Sequence, residues 1–223
     1  MTRTVRSIAL LAVAATLAVA CNIGNTPAPP SNAASSASSP AGSSGATGDC
    51  PTKQPPPLAA GEKRLVTIAT AKGEIGITIE ADLSPIAAGN FVALAECGYY
   101  DGVGFHRIAT LDNGTPFVIQ GGDPTGDGTG GPGYTIKDEP VTALYSRGTV
   151  AMARTQDPDS VGSQFFIVLD DKDREILADA NTYQIIGTVT AGMETVDAIY
   201  TAGKAEVNPA SPVVMDKVTV STP

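Results

Sequence analysis

Tryptophan is absent from the 223 residues and histidine occurs once, as His106. One histidine cannot build a metal centre of the usual kind, and the three cysteines form no cluster with it, so a zinc site is excluded. Basic residues are also scarce. Lys and Arg number 14 against 23 Asp and Glu, giving a net charge of −9, and the body of the chain has no basic cluster. Phosphate backbones need a cationic footprint, so nucleic acid is not an expected partner; the acidity itself reads as solubility. Long apolar runs are missing too. The one candidate, Ile8 to Ala20, comes after Arg3 and Arg6 and is shorter than the roughly 20 residues a membrane helix needs. Those are the proportions of a signal peptide, expected over residues 1–20.

A cysteine stands next in the chain. Cys21 directly after the small residues Ala18 and Ala20 resembles the bacterial lipoprotein pattern. That resemblance implies lipid on Cys21 and a chain held outside the cytoplasm on the cell membrane, with plain secretion as the alternative. Residues 21–61 are rich in Ser, Pro and Ala with little charge, and read as a flexible tether stiffened by Pro55-Pro56-Pro57. Residues 62–223 have the length of one compact domain. With Cys21 acylated, Cys50 and Cys97 remain as a pair, and export would let a disulfide between them persist. Two free thiols are the alternative.

The domain reads mainly as strands. Arg64 to Thr70 and Glu74 to Glu80 alternate and are rich in β-branched residues, with Lys72-Gly73 as the turn of a hairpin. Ser84-Pro85 starts a helix to about Cys97, with serine as the expected cap and Gly98 as the stop. Asn90 sits inside that helix without a propensity reason. Strands are expected over 103–108, 117–120, 147–153, 163–169, 183–190 and 213–221, with a second helix near 193–200. Residues 170–181 read as charged loop. Gly121 to Gly133 holds seven glycines and two prolines, an irregular loop. Its Gly126-Asp-Gly-Thr-Gly130 imitates a phosphate loop but lacks the lysine and the strand–loop–helix context. Asp123 and Asp127 lack the spacing of a calcium loop. The fold class is all-β dominated: a closed eight-stranded antiparallel barrel with a helix at each end.

Six pieces in order resemble the cyclophilin-type peptidyl-prolyl cis/trans isomerases: FHRI (105–108), FVIQGGD (117–123), GTGGPGY (128–134), GTVAMA (148–153), GSQFFI (162–167) and the strand around Gly187. The resemblance spans about Leu65 to Val220. It implies the same eight-stranded barrel with two helices, a catalytic Arg107, a pocket aromatic in Phe117 and a backbone-binding glutamine in Gln120. Val118, Ala153, Arg154, Phe166, Leu177 and Tyr183 are implied as substrate-binding, with Arg154 standing where the family carries Asn. It further implies no cofactor or metal, a monomer, and proline-containing peptides and unfolded exported proteins as partners.

The chemistry is consistent with those residues. An X–Pro bond rotates over a barrier of roughly 18–20 kcal/mol set by amide resonance, and its isomers differ by only about 0.5–1 kcal/mol. Stabilising the twisted imide therefore suffices, and a guanidinium that never loses its proton can donate to the pyramidal nitrogen. The alternative function is a proline-peptide-binding module of the same shape without turnover. A hydrolase lacks a nucleophile–base pair, because the sole histidine lies beside Arg107 and Ser163 has no histidine it can obviously claim. His106 reads as structural, and Phe165, the strand neighbour of Phe166, as core.

Overall fold

The computed structural model describes residues 49–223. The expected signal peptide, the acylated Cys21 and the tether up to residue 48 lie outside the described residues. Eight strands form one sheet: β1 (Lys63–Thr70), β2 (Gly73–Glu80), β3 (Arg107–Thr110), β4 (Pro116–Gly121), β5 (Thr149–Met152), β6 (Phe165–Val168), β7 (Ile185–Ala191) and β8 (Met215–Ser221). Every ladder is antiparallel, in the order β3-β4-β6-β5-β7-β2-β1-β8.

The sheet is an open half-barrel, which corrects the expected closed one. β3 and β8 lie at opposite ends of the order and no ladder joins them. The seam between them is irregular. An isolated bridge links Gly104 to Val214. The Phe105 amide donates to Val213 O (2.9 Å), and the Met215 amide to Val103 O (2.9 Å). A Cβ at Gly104 would lie 3.0 Å from the ring of Pro212. Pro212 has no N–H to offer a ladder, so regular pairing ends at that contact.

Three helices accompany the sheet where two were expected: α1 (Pro85–Glu96), α2 (Arg174–Ala180) and α3 (Met193–Gly203). The extra one, α2, occupies the charged stretch expected as loop. A one-turn 3-10 segment, Asp171–Asp173, leads into it through a reciprocal capping box between Asp170 and Asp173. Charge density on a short, mostly exposed helix conceals its periodicity.

α1 begins at Pro85, but Ser84 does not cap it, since the Ser84 hydroxyl turns back to Leu83 O. The cap comes from afar: the Glu139 carboxylate accepts from the amides of Ile86 (2.8 Å) and Ala87 (2.9 Å). Asn90 has its reason in tertiary contacts. It donates to Gly162 O (2.8 Å) and accepts from the Tyr134 hydroxyl (2.7 Å), tying α1 to the glycine-rich loop.

The folded unit begins earlier than the boundary expected at residue 62. Cys50 and Cys97 form a disulfide with Cα atoms 5.2 Å apart. Leu58 packs on the core, and its amide donates to Pro85 O (3.1 Å). A Cβ at Gly89 would lie 2.5 Å from Pro56 O, so glycine lets this strap lie flat on α1. Cys50, Gln54 and Leu58 are thus tied to the domain ahead of that boundary, by the disulfide and by hydrogen bonds, although the composition of this stretch suggested a tether.

The core has two parts. The larger gathers the inward residues of the strands with α1 and α3, around Phe91, Tyr100, Phe105 and Phe165. Phe165 meets Phe91 edge-on at 5.1 Å. The smaller lies on the other face of β4-β6-β5-β7 and contains Val118, Ala151, Phe166, Leu177 and Ile185, with Phe117 and Tyr183 packed against it. Adjacent residues on a strand face opposite ways, which puts Phe165 and Phe166 in different cores.

Candidate functional site

Register places the site. Arg107 is the cross-strand partner of Gln120, Gln120 of Phe166, and Phe166 of Ala151. These four residues form one row across β3, β4, β6 and β5, and directly opposed residues share a face of the sheet. Val118, two positions from Gln120 on β4, faces the same way. Tyr183, just before β7, and Leu177, on α2, complete the surround. All nine residues expected at the site line one cavity of about 240 Å³: Arg107, Phe117, Val118, Gln120, Ala153, Arg154, Phe166, Leu177 and Tyr183.

The cup is apolar at its base. Val118, Phe166 and Leu177 are buried, and the Tyr183 ring stands edge-on to Phe166 at 5.3 Å. Tyr183 is held from behind, where the Tyr145 hydroxyl donates to its carbonyl (2.9 Å). At the lip sits Arg107. Its Nη1 donates to Gln120 Oε1 (3.2 Å), and among the described residues it makes no ion pair. The ordinary fate of a lone arginine, pairing with Asp112 or Asp123, is thus not realised. Asp123 is engaged elsewhere. Burial acts to raise its pKa, but hydrogen bonds from Thr125, Gly130 and Gly128 outweigh burial and hold the carboxyl below its usual range.

Gln164 belongs to this network and escapes a reading from sequence. Gln120 Nε2 donates to Gln164 Oε1 (2.9 Å), and Gln164 Nε2 donates to the carbonyls of Gly128 and Gly130 (both 2.9 Å). The glycine-rich loop thereby sets Gln164, Gln164 orients the Gln120 amide, and Gln120 steadies Arg107. The only available signal was the position of Gln164, two residues before Phe166. A broader groove of about 820 Å³ lies alongside and shares Gln120, Ala153 and Arg154 with the cup.

His106 is 4% exposed and is not among the residues lining the cup. Neither ring nitrogen has a hydrogen-bond partner. Burial holds its pKa below the usual histidine value, against the pull of the Asp123 carboxylate. His106 is thus buried off the cavity, without the satisfied hydrogen bonds a structural histidine usually has.

Fold and cleft together define a class: a helix-flanked antiparallel β protein with an apolar cup whose lip carries one unpaired guanidinium. The family model for the cyclophilin type peptidyl-prolyl cis-trans isomerases matches residues 65–220. The chain belongs to that family. It is 41% identical over 143 residues to the peptidyl-prolyl cis-trans isomerase CYP65 of Arabidopsis thaliana, an alignment covering 62% of this chain and 22% of that protein. Against a peptidyl-prolyl cis-trans isomerase of Helicobacter pylori it is 44% identical over 103 residues, covering 45% of this chain and 60% of that one. It thus spans under two thirds of the length of both relatives. A Cryptosporidium parvum cyclophilin type isomerase, crystallised in the presence of the dipeptide Ala-Pro, superposes with a TM-score of 0.62 at 30% identity. That match covers 71% of this chain and 99% of the other.

Proposed function

We propose that this chain accelerates cis/trans isomerisation of X–Pro bonds in exported proteins, with Arg107 stabilising the twisted imide. The observation that carries the reading is a guanidinium bonded, among the described residues, only to Gln120, set at the lip of a cup lined by Phe117, Val118, Phe166, Leu177 and Tyr183. The cup holds a proline ring while the remainder of the peptide rotates. As the imide leaves planarity, its nitrogen gains a lone pair, and the Arg107 fork donates to it. Gln120, oriented through Gln164, fixes the peptide backbone. All of this is differential binding of the twisted form, which lowers the barrier without any covalent step. The Ala-Pro dipeptide used with the Cryptosporidium relative has the chemistry such a cup would take.

Arg107→Ala in a protease-coupled isomerisation assay is the test. Loss of one preorganised donor lowers rate by about 10²–10³, and that drop is expected here with the fold intact; near-normal turnover would reject the role of Arg107. Binding without turnover is the alternative, for which Arg154 as an extra cation and the long loop between Arg107 and Phe117 leave room. The cation is engaged by Asp138, Thr155 and Asp157, which weakens the first of these.

The N-terminal pattern supports placing this activity outside the cytoplasm, anchored through acylated Cys21 or else secreted, acting on unfolded exported proteins. Fatty-acid labelling of the full chain, absent in Cys21→Ser, checks the anchor; equal labelling of both would overturn it.

A further inference from the structure

Arg154 lines the cup, the broader groove and a third cavity of about 380 Å³ beside Tyr183. It is the wall these three spaces share. Its side chain is only 10% exposed, and each guanidinium nitrogen is occupied. Nη1 pairs with Asp138 Oδ2 (3.0 Å), Nη2 donates to Asp157 O (2.8 Å) and Nε donates to Thr155 O (3.0 Å). A planar fork held at three points is a fixed bar, with three of its five N–H donors engaged within the chain.

Asp138 lines none of these cavities. It is itself locked, because its amide donates to Asp159 Oδ1 and its Oδ2 accepts from the Asp159 amide (both 2.9 Å). Its neighbours anchor it from both sides. The Lys137 amide donates to Gln54 Oε1 (2.9 Å) on the strap that Cys50 ties down. Glu139 caps α1 and accepts from Gln184, the residue after Tyr183 (3.1 Å). Three consecutive residues thus join the strap, α1, the 154–160 loop and the Tyr183 wall.

We propose that Asp138 is a positioning residue for this cleft: it clamps Arg154 as the bar between cup and groove and neutralises it, so that residues flanking the proline are selected by shape and not by charge. The proposal rests on the isomerase reading. Freeing the bar should loosen peptide binding without touching Arg107, Gln120 or the cup floor, and should uncover a positive charge.

The test uses the full chain with its disulfide intact and proline peptides carrying Ala or Glu on either side of the proline. KM and kcat are measured by protease-coupled isomerisation, peptide binding by NMR titration, and Tm alongside. Asp138→Asn is expected to raise KM for the Ala peptides about tenfold with kcat within about twofold, the signature of lost binding common to ground and transition states. It is also expected to turn an indifferent Glu:Ala ratio into a preference for Glu. Arg154→Gln should raise KM similarly without that preference, and the double variant should be no worse than the poorer single. Arg154→Gln also stands in should Asp138→Asn fail to fold. KM effects that add, or no change in the Glu:Ala ratio, would reduce Asp138 to a structural part and overturn the proposal. If wild type turns over and Asp138→Asn matches it, this proposal alone fails; if wild type neither turns over nor binds, the isomerase reading fails with it.

Discussion

Arg107 and His106 are sequence neighbours with opposite fates. Arg107 starts β3 with its side chain toward the cup, and its charge is met only by a neutral amide. His106 turns into the protein, where neither ring nitrogen meets hydrogen-bond geometry and only the Gln164 side chain and the Gly104 backbone act on it weakly. Its lowered pKa has a thermodynamic consequence. Between its folded value and about 6.5, the unfolded value, the unfolded chain binds more protons than the native one. The stability attached to a neutral His106 is therefore present above about pH 6.5 and lost as pH falls through the folded value. Chemical denaturation of His106→Asn should show a shallower loss of stability between pH 7 and pH 5 than wild type. An unchanged slope would assign the acid lability to other groups.

At the scale of elements, distant residues finish what local sequence begins. α1 has proline where a helix start favours it, yet its free amides are met by Glu139, about fifty residues on. Replacing a helix cap costs about 0.5–2 kcal/mol. Glu139→Ala is expected at the upper end of that range, because the carboxylate meets two amides and also Gln184. A Tm unchanged by Glu139→Ala would contradict the cap. α2 carries Leu177 to the cup and opens on Asp173, which is buried with one oxygen unpartnered. Burial raises the Asp173 pKa to about 6, although the Asp170 amide pulls it the other way. Here the native state binds more protons than the unfolded one, so the associated stability is present below about pH 4 and lost as pH rises through about 6. Asp173→Asn should remove that loss and steady α2 at neutral pH, seen as slower amide exchange at Leu177 at pH 7.5. Faster exchange would contradict it. Apart from β3, which runs 107–110 where a strand over 103–108 was expected, the strands and the ends of α1 were legible because alternation, Pro85 and Gly98 act locally. α2 was not, since its order depends on a charged capping box rather than an apolar stripe. Nor were Glu139, Gln164 and Asp138, whose partners are remote in sequence and whose residue types are commonplace on surfaces. The nine cup residues came from the family resemblance, and a single row of cross-strand register brings three of them, Arg107, Gln120 and Phe166, together.

The described domain is an open half-barrel with only irregular pairing at the seam between its edge strands, and a covalent strap holds its start. The seam at Gly104 and Pro212 lay beyond a sequence reading, because a barrel and its open variant share the same strand pattern. The strap was hidden by its tether-like composition. On the loop-entropy model, the 47-residue separation of Cys50 and Cys97 corresponds to about 4 kcal/mol. Reduction of the native protein should lower stability by up to that amount and loosen residues 50–58 first, read as new protease sensitivity in the strap. A reduced protein with the same denaturation midpoint would show that the strap holds by packing alone.

In the proposed mechanism, catalysis turns on one cation and one bond. Equilibrium exchange NMR on a proline peptide, with catalytic amounts of wild type or Arg107→Ala, reads binding and isomerisation in the same sample. Wild type is expected to bring cis and trans signals into exchange far faster than the free peptide, while Arg107→Ala still binds in the cup but leaves exchange slowed by about 10²–10³. Exchange through Arg107→Ala as fast as through wild type, with peptide bound, would contradict the account.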